Sequence, residues 1–291
     1  MRGLAEFVMR GRWQALAVAV LGSGSLLFGW ISAAAVALVT LRKGAAEGGW
    51  LVLWALLPAV VLAWISGDAG GVLLLAGVFG MAVLLRETVS LPLTVVATIP
   101  VGLVSGAFLL TVTGAFLEQL VTWFGEFLSQ LEGNLNAGGS DAGVQLVAPT
   151  VNQVAGLLAA GNAALCTVGL LLGRYWQSAL YHPGGFGSEF RSLRLPPSWT
   201  LGLAAITAAL WVAGPDWSGW ALIFAVPLTF CGFSLAHARA RSRGQGAGWL
   251  TAFYLLWLVF DPVKALLLGF VIADAFIDFR RQWKAESDAE N

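Results

Sequence analysis

Charge is scarce in this chain. Only 11% of its 291 residues are Asp, Glu, Lys or Arg, against roughly 25% in ordinary soluble domains. Five stretches (14–41, 51–65, 91–117, 151–173 and 200–214) carry no Asp, Glu, Lys, Arg or His at all. That absence disfavours ion-coupled transport through a midplane carboxylate, which needs an ionisable group within a span. There are two cysteines, Cys166 and Cys231, both in apolar runs and neither in a CxxC or Cys/His cluster, which argues against a disulfide framework or a zinc site. The two histidines, His182 and His237, fall in predicted cytoplasmic loops, so no membrane serine such as Ser105 has an imidazole base in reach by sequence. Neither GxxxxGK[ST] nor HExxH occurs. The formal net charge is zero and the arginines are dispersed, which leaves no basic face for nucleic acid. These absences predict a protein that is not an enzyme and holds no cofactor or metal.

What is present is apolar surface. Hydrophobic residues make up 58% of the chain, more than a soluble protein of this size could bury, so a lipid bilayer is the expected solvent. The cations fall in six groups: Arg2/Arg10/Arg12, Arg42/Lys43, Arg86, Arg174/Arg191/Arg194, Arg239/Arg241/Arg243 and Arg280/Arg281/Lys284. Cytoplasmic loops retain Lys and Arg during insertion, so these groups mark one side of a membrane. Asp68, Asp216 and the cation-free segment 113–150, with Glu118, Glu126, Glu132 and Asp141, mark the other.

A spanning helix needs about 20 residues, fewer in a thin bilayer. Candidates are 49–65, 71–85, 91–112, 151–173, 200–213 and 220–235. Two runs have cations at both ends and are expected to fold back. Residues 14–41 would be about 42 Å long as one helix, and a break at 22–25 (Gly-Ser-Gly-Ser) makes them a hairpin. Residues 249–279 are expected to break at Asp261–Pro262, because proline cannot continue the ladder. Lys264, three residues past Asp261, is the one cation outside the groups. The basic N-terminus followed by an apolar run is expected to be an uncleaved helix rather than a signal peptide. The first arm is short; it could begin within 4–9 or stop short of crossing. The prediction is an all-α, polytopic transmembrane helical bundle forming a single domain over 1–291, with about eight to ten membrane segments. Both termini are placed in the cytoplasm of a bacterial inner membrane.

Residues 116–132 repeat apolar side chains (Leu117, Leu120, Val121, Phe124, Phe127, Leu128, Leu131) at three and four, opposite Glu118, Thr122, Glu126 and Ser129. This predicts an amphipathic helix within the extracytoplasmic insertion 113–150, resting on the membrane surface or lidding a cavity. A flexible loop at 134–140 should follow. Candidate polar interior residues are Asn152, Gln153 and Asn162, most simply interhelical hydrogen bonders. Small residues recur at four-residue spacing as Ala15/Ala19, Ala155/Ala159/Ala163 and Gly156/Ala160/Ala164, a pattern that lets helices approach closely. Asp274 and Asp278, four apart, resemble a weak Mg²⁺-holding pair, but without a second acidic cluster a solvated helix end is the better reading. The cytoplasmic loop 174–199, rich in aromatics with Arg191 and Arg194, is a candidate partner-docking segment or an interfacial anchor.

Three pieces carry a family resemblance: LVTLRKGAAEGG at 38–49, GRYWQSALYHPGGFGSEFRSLRLP at 173–196 and LGFVIADAFIDFRRQ at 268–282. With the run of apolar segments, they make the chain look like the YybS-like bacterial integral membrane proteins. That family's core is thought to be distantly similar to the S-components of energy-coupling-factor vitamin transporters. The resemblance implies a non-enzymatic small-molecule binding or transport component. It also implies that the Ala15/Ala19 row contacts a transporter energising module, although this chain has more segments than a six-helix S-component. The alternative is a structural or assembly factor docking through Arg191 and Arg194.

Overall fold

Glycine, proline and small polar residues cut the apolar runs into helices, and little else is present. The computed structural model describes residues 2–25, 27–137 and 146–283, which contain no strand. In chain order the helices are α1 (Arg2–Arg10), α2 (Arg12–Ser23), α3 (Gly29–Lys43), α4 (Ala45–Ser66), α5 (Gly70–Thr88), α6 (Leu91–Val96) and α7 (Thr98–Val112). They continue with α8 (Gly114–Ala137), α9 (Val151–Tyr181), α10 (Gly185–Arg191), α11 (Pro197–Val212), α12 (Pro215–Ser242), α13 (Ala247–Val259) and α14 (Asp261–Ile277).

The local signals are physical ones. Ser90 caps α6, and Thr150 closes a reciprocal capping box with Gln153 at the start of α9. Proline occupies the first turn of α11, α12 and α14, where its missing N–H is not needed. Gly67, at φ 76°, ends α4 in the left-handed region.

Five helices or continuous helix pairs are long and apolar enough to cross a membrane: α4, α5, α6 with α7, α9 and α12. A sixth is counted if α13 and α14 form one broken span. The remaining expected segments, α2, α3 and α11, are 12, 15 and 16 residues long.

The break at 22–25 is where it was expected, and α2 lies against α3 with Ser32 Oγ donating to Ala19 O at 2.7 Å. The first arm is not prolonged backwards. The chain is extended at Gly11, and α1 is a separate helix that buries Ala5 and Val8 against the bundle. The break before Asp261 is also present, but α13 and α14 differ in direction by 113° and form an open V instead of a tight hairpin. Lys264 pairs with Asp261 Oδ1 at 2.6 Å beside that bend.

The segment 174–199 is not the loop expected. Helix α9 runs on to Tyr181, α10 follows, and only 193–196 lacks helix, turn and bend before α11. Arginine is a good helix former, and the Arg174 guanidinium pairs with Glu189 of α10 at 2.7 Å. Helix α8 likewise continues through Ala137, which takes up the first part of the loop expected at 134–140; residues 138–140 and Asp141 lie outside the described residues, as do Met1 and the C-terminal residues 284–291.

The core centres on α3, every residue of which from Ser32 to Leu41 is buried between α2, α4, α5 and α9. Close approach explains this. A Cβ on Gly173 would lie 2.6 Å from Ala37 Cβ and 2.8 Å from Ala34 O, and one on Gly169 would lie 3.0 Å from Ala33 Cβ. Two small residues four apart on α9 thus fit against two on α3. The crossing of α9 and α12 is equally close, with a Cβ on Gly219 2.6 Å from Leu157 N. Ala155, Ala159 and Ala163 are fully buried, as packing within the bundle requires.

Candidate functional site

Side-chain contacts sort the helix ends into two sets. Arg12 pairs with Glu47, Arg86 Nη1 donates to Leu41 O at 2.7 Å, and Arg42 lies 4.0 Å over the Tyr181 ring. Their hydrogen bond raises the Arg12 pKa and lowers that of Glu47. At the opposite ends, Thr150 Oγ1 donates to Asp216 Oδ1 at 2.5 Å and Asn152 Nδ2 to Asp216 O at 2.8 Å. Arg12, Arg42 and Arg86 therefore gather along one set of ends, and Asp216 belongs to the other.

A cavity of about 460 Å³ lies at the cation-poor ends, between the α2–α3 turn, the end of α4, the start of α5 and the first half of α9. Its walls are leucines, with Trp30 and Ala59. Its polar groups are few: Ser66 and Asp68 at the exposed rim, Ser23 and Ser25 on the turn, and Asn162 buried within. Asn162 Nδ2 donates to Ser105 Oγ on α7 at 2.9 Å, and its Oδ1 accepts nothing among the described residues. The Asp68 carboxylate is oriented by the Gly70 N–H, 2.7 Å from Oδ1. A mostly apolar recess with a small number of placed polar groups is the usual form of a small-molecule site.

The other charged assembly lies at the cation-bearing ends of α12 and α14. Asp274, 3% exposed, accepts from Arg280 Nη1 at 2.7 Å and from the Phe279 N–H at 3.0 Å. Arg194 reaches across from the 193–196 segment. Its Nη1 is 2.9 Å from Asp278 Oδ2, and its Nη2 donates to Asp274 O at 2.6 Å and Ala275 O at 3.0 Å, capping the last turn of α14. Arg280 Nη2 donates to Leu193 O at 2.9 Å and Ser234 Oγ at 3.1 Å. Burial lowers the Arg280 pKa, opposed by Asp274, but a guanidinium stays charged. The network binds the 193–196 segment, α12 and α14 to one another.

The residues singled out from sequence are scattered. Ala15 and Ala19, at 3% and 0% exposure, face the chain's own core between α2, α3 and α4, so they are not available to a partner as expected. Arg194 serves the network just described. Arg191 ends α10, half-buried, with its guanidinium beside Gly187. Asn152 and Gln153 are not interior: they tie the start of α9 to α12 and cap it. Of the three polar candidates only Asn162 lines the cavity. Asp274 is not on a solvated helix end, because two arginines enclose its carboxylate, and no group of three metal-ligating side chains occurs among the described residues. Sequence reasoning missed Trp30 and Ser25, and used Asp68 only as a marker of sidedness. The available signal for Asp68 was an isolated acid between Gly67 and Gly70 in a turn without cations.

Compared with family models, with curated proteins and with solved structures, the chain matches none of them.

Proposed function

We propose that this is a multi-pass protein of the bacterial cytoplasmic membrane that binds, and takes part in moving, a small and largely apolar molecule without chemically altering it. The cavity beside Asn162 is its binding site. The observation that carries this reading is the conjunction of the leucine-walled recess with the open Oδ1 of Asn162 and a carboxylate at its rim. A ligand with an apolar body and one or two hydrogen-bond donors fits that set. The arginine distribution supports cytoplasmic termini, and the lack of Lys and Arg throughout 113–150 supports an outer-surface position for α8. The short α2–α3 and α13–α14 pairs then enter the bilayer without each arm crossing it. The resemblance to YybS-like proteins and S-components favours the same class; an energising partner would have to meet a face other than the Ala15/Ala19 row.

Native mass spectrometry of the detergent-purified chain tests the reading. Wild type should retain a small molecule that Asn162→Leu loses while keeping its melting temperature within a few degrees. A chain that carries nothing, combined with unaltered solute uptake in a deletion strain, would sink it.

A further inference from the structure

A second recess lies at the cation-bearing ends, between the last third of α12, the start of α13 and the face of α14. It has a volume of about 410 Å³. Helix α13 touches α12 through the Phe233 ring and the His237–Tyr254 hydrogen bond but buries no residue, and the 113° angle to α14 leaves the V open. The walls are aromatic and in stacked pairs. Trp249 lies on Phe253 with ring centroids 5.8 Å apart and planes 3° apart, and Phe279 on Trp283 at 5.9 Å and 11°. Arg239 is the one charged lining residue among the described residues, and its guanidinium carbon is 4.9 Å above the Trp283 ring. Among the described residues no carboxylate pairs with Arg239, Arg241, Arg243 or Arg281. This contrasts with the neighbouring Arg194 and Arg280, both matched to Asp274.

Water is a poor occupant of a recess with so few polar partners. Helices that do not meet in a bilayer leave room for an acyl chain. Basic pockets between membrane helices on the cytoplasmic side are suited to acidic headgroups, each nearby cation adding about 1 kcal/mol, or about fivefold in binding. Aromatic and arginine side chains favour that depth, with their apolar bodies among the chains and their charge at the phosphates.

We propose that this recess holds one anionic phospholipid, an acyl chain against the Trp249/Phe253 and Phe279/Trp283 walls and its phosphate at Arg239. Arg239, which pairs with no carboxylate among the described residues, selects an acidic headgroup over a zwitterionic one. The site shares with the proposed function only the membrane setting; it is separate from the cavity at Asn162.

The test is lipid titration of the full-length purified protein by native mass spectrometry, with phosphatidylglycerol and phosphatidylcholine of identical chains. Wild type should retain one phosphatidylglycerol in preference to phosphatidylcholine. Arg239→Gln should lose about fivefold in that preference. Arg2→Gln, at a distant cationic end, and Asn162→Leu should keep it. Soluble glycerophosphate at equal concentration should displace nothing, because it lacks the chain. Equal retention of the two lipids by wild type would overturn the proposal. So would an unchanged preference in Arg239→Gln shown by circular dichroism to be folded, displacement by glycerophosphate, or dimers in place of bound lipid.

Discussion

Helices α3 and α13 are similar in length, at 15 and 13 residues, and opposite in placement. Helix α3 is built around Ala33, Ala34, Ala35, Val36 and Ala37 and is buried on all sides. Helix α13 carries Trp249, Leu250, Phe253, Tyr254, Leu255, Leu256, Trp257 and Leu258, and none of its residues is buried. The more strongly apolar helix is the outer one. In water that would be an inversion; among lipid tails it is the natural order. Apolar side chains gain little there by leaving the solvent, and helices associate where small residues let backbones touch. Side-chain size therefore says more than hydrophobicity about which helix lies at the centre of this bundle.

The sharpest way to break the contrast is at the foot of α14, which the buried charges tie to the interior while α13 has no such tie. Asp274→Ala leaves Arg280 and Arg194 without their carboxylate, and unfolding in detergent should show a loss of about 3–5 kcal/mol. Asp274→Asn should recover only part of it, because the shape returns and the charge does not. Next comes the centre. Gly173→Leu forces a side chain onto the α3 backbone and should cost about 1–3 kcal/mol or disrupt folding, read as melting temperature or yield. On the outer helix the same kind of change should have the opposite sign. A Cβ on Gly248 meets nothing within 4 Å, so Gly248→Ala should stabilise α13 by up to about 1 kcal/mol. The smallest effect is expected at the exposed Arg12–Glu47 pair. Glu47 has a depressed folded pKa, so any contribution is present above the ordinary carboxylate range and fades as pH falls through the folded value. A pH scan from 7 to 3 should separate Glu47→Gln from wild type only weakly, with the two converging at the acid end.

The breaks in the chain were legible because they rest on local chemistry: Gly-Ser-Gly-Ser after Leu21, and Pro262 after Asp261. The 113° angle was not legible, since a proline ends a helix without stating where the next one points. The 174–199 segment was misjudged because arginine was equated with loop. Arg174 is on a helix that outlasts the apolar run, and its partner Glu189 comes from α10. The buried charge network was hidden for a similar reason. Asp274 and Arg194 are 80 positions apart, and the i, i+4 pair Asp274/Asp278 looked like a solvated face. In the candidate cavity Asn162 was visible as one of three amides in the apolar run 151–173, whereas Trp30, Ser25 and Asp68 meet it only after α3, α4 and α5 have packed.

Asp274 belongs to the last described helix, and the arginine it neutralises on the 193–196 segment is made long before it. During synthesis Arg194 must therefore wait, uncompensated, until α14 has left the ribosome. A nascent chain cut short before Asp274 would present an unmatched guanidinium where the finished protein has a closed joint.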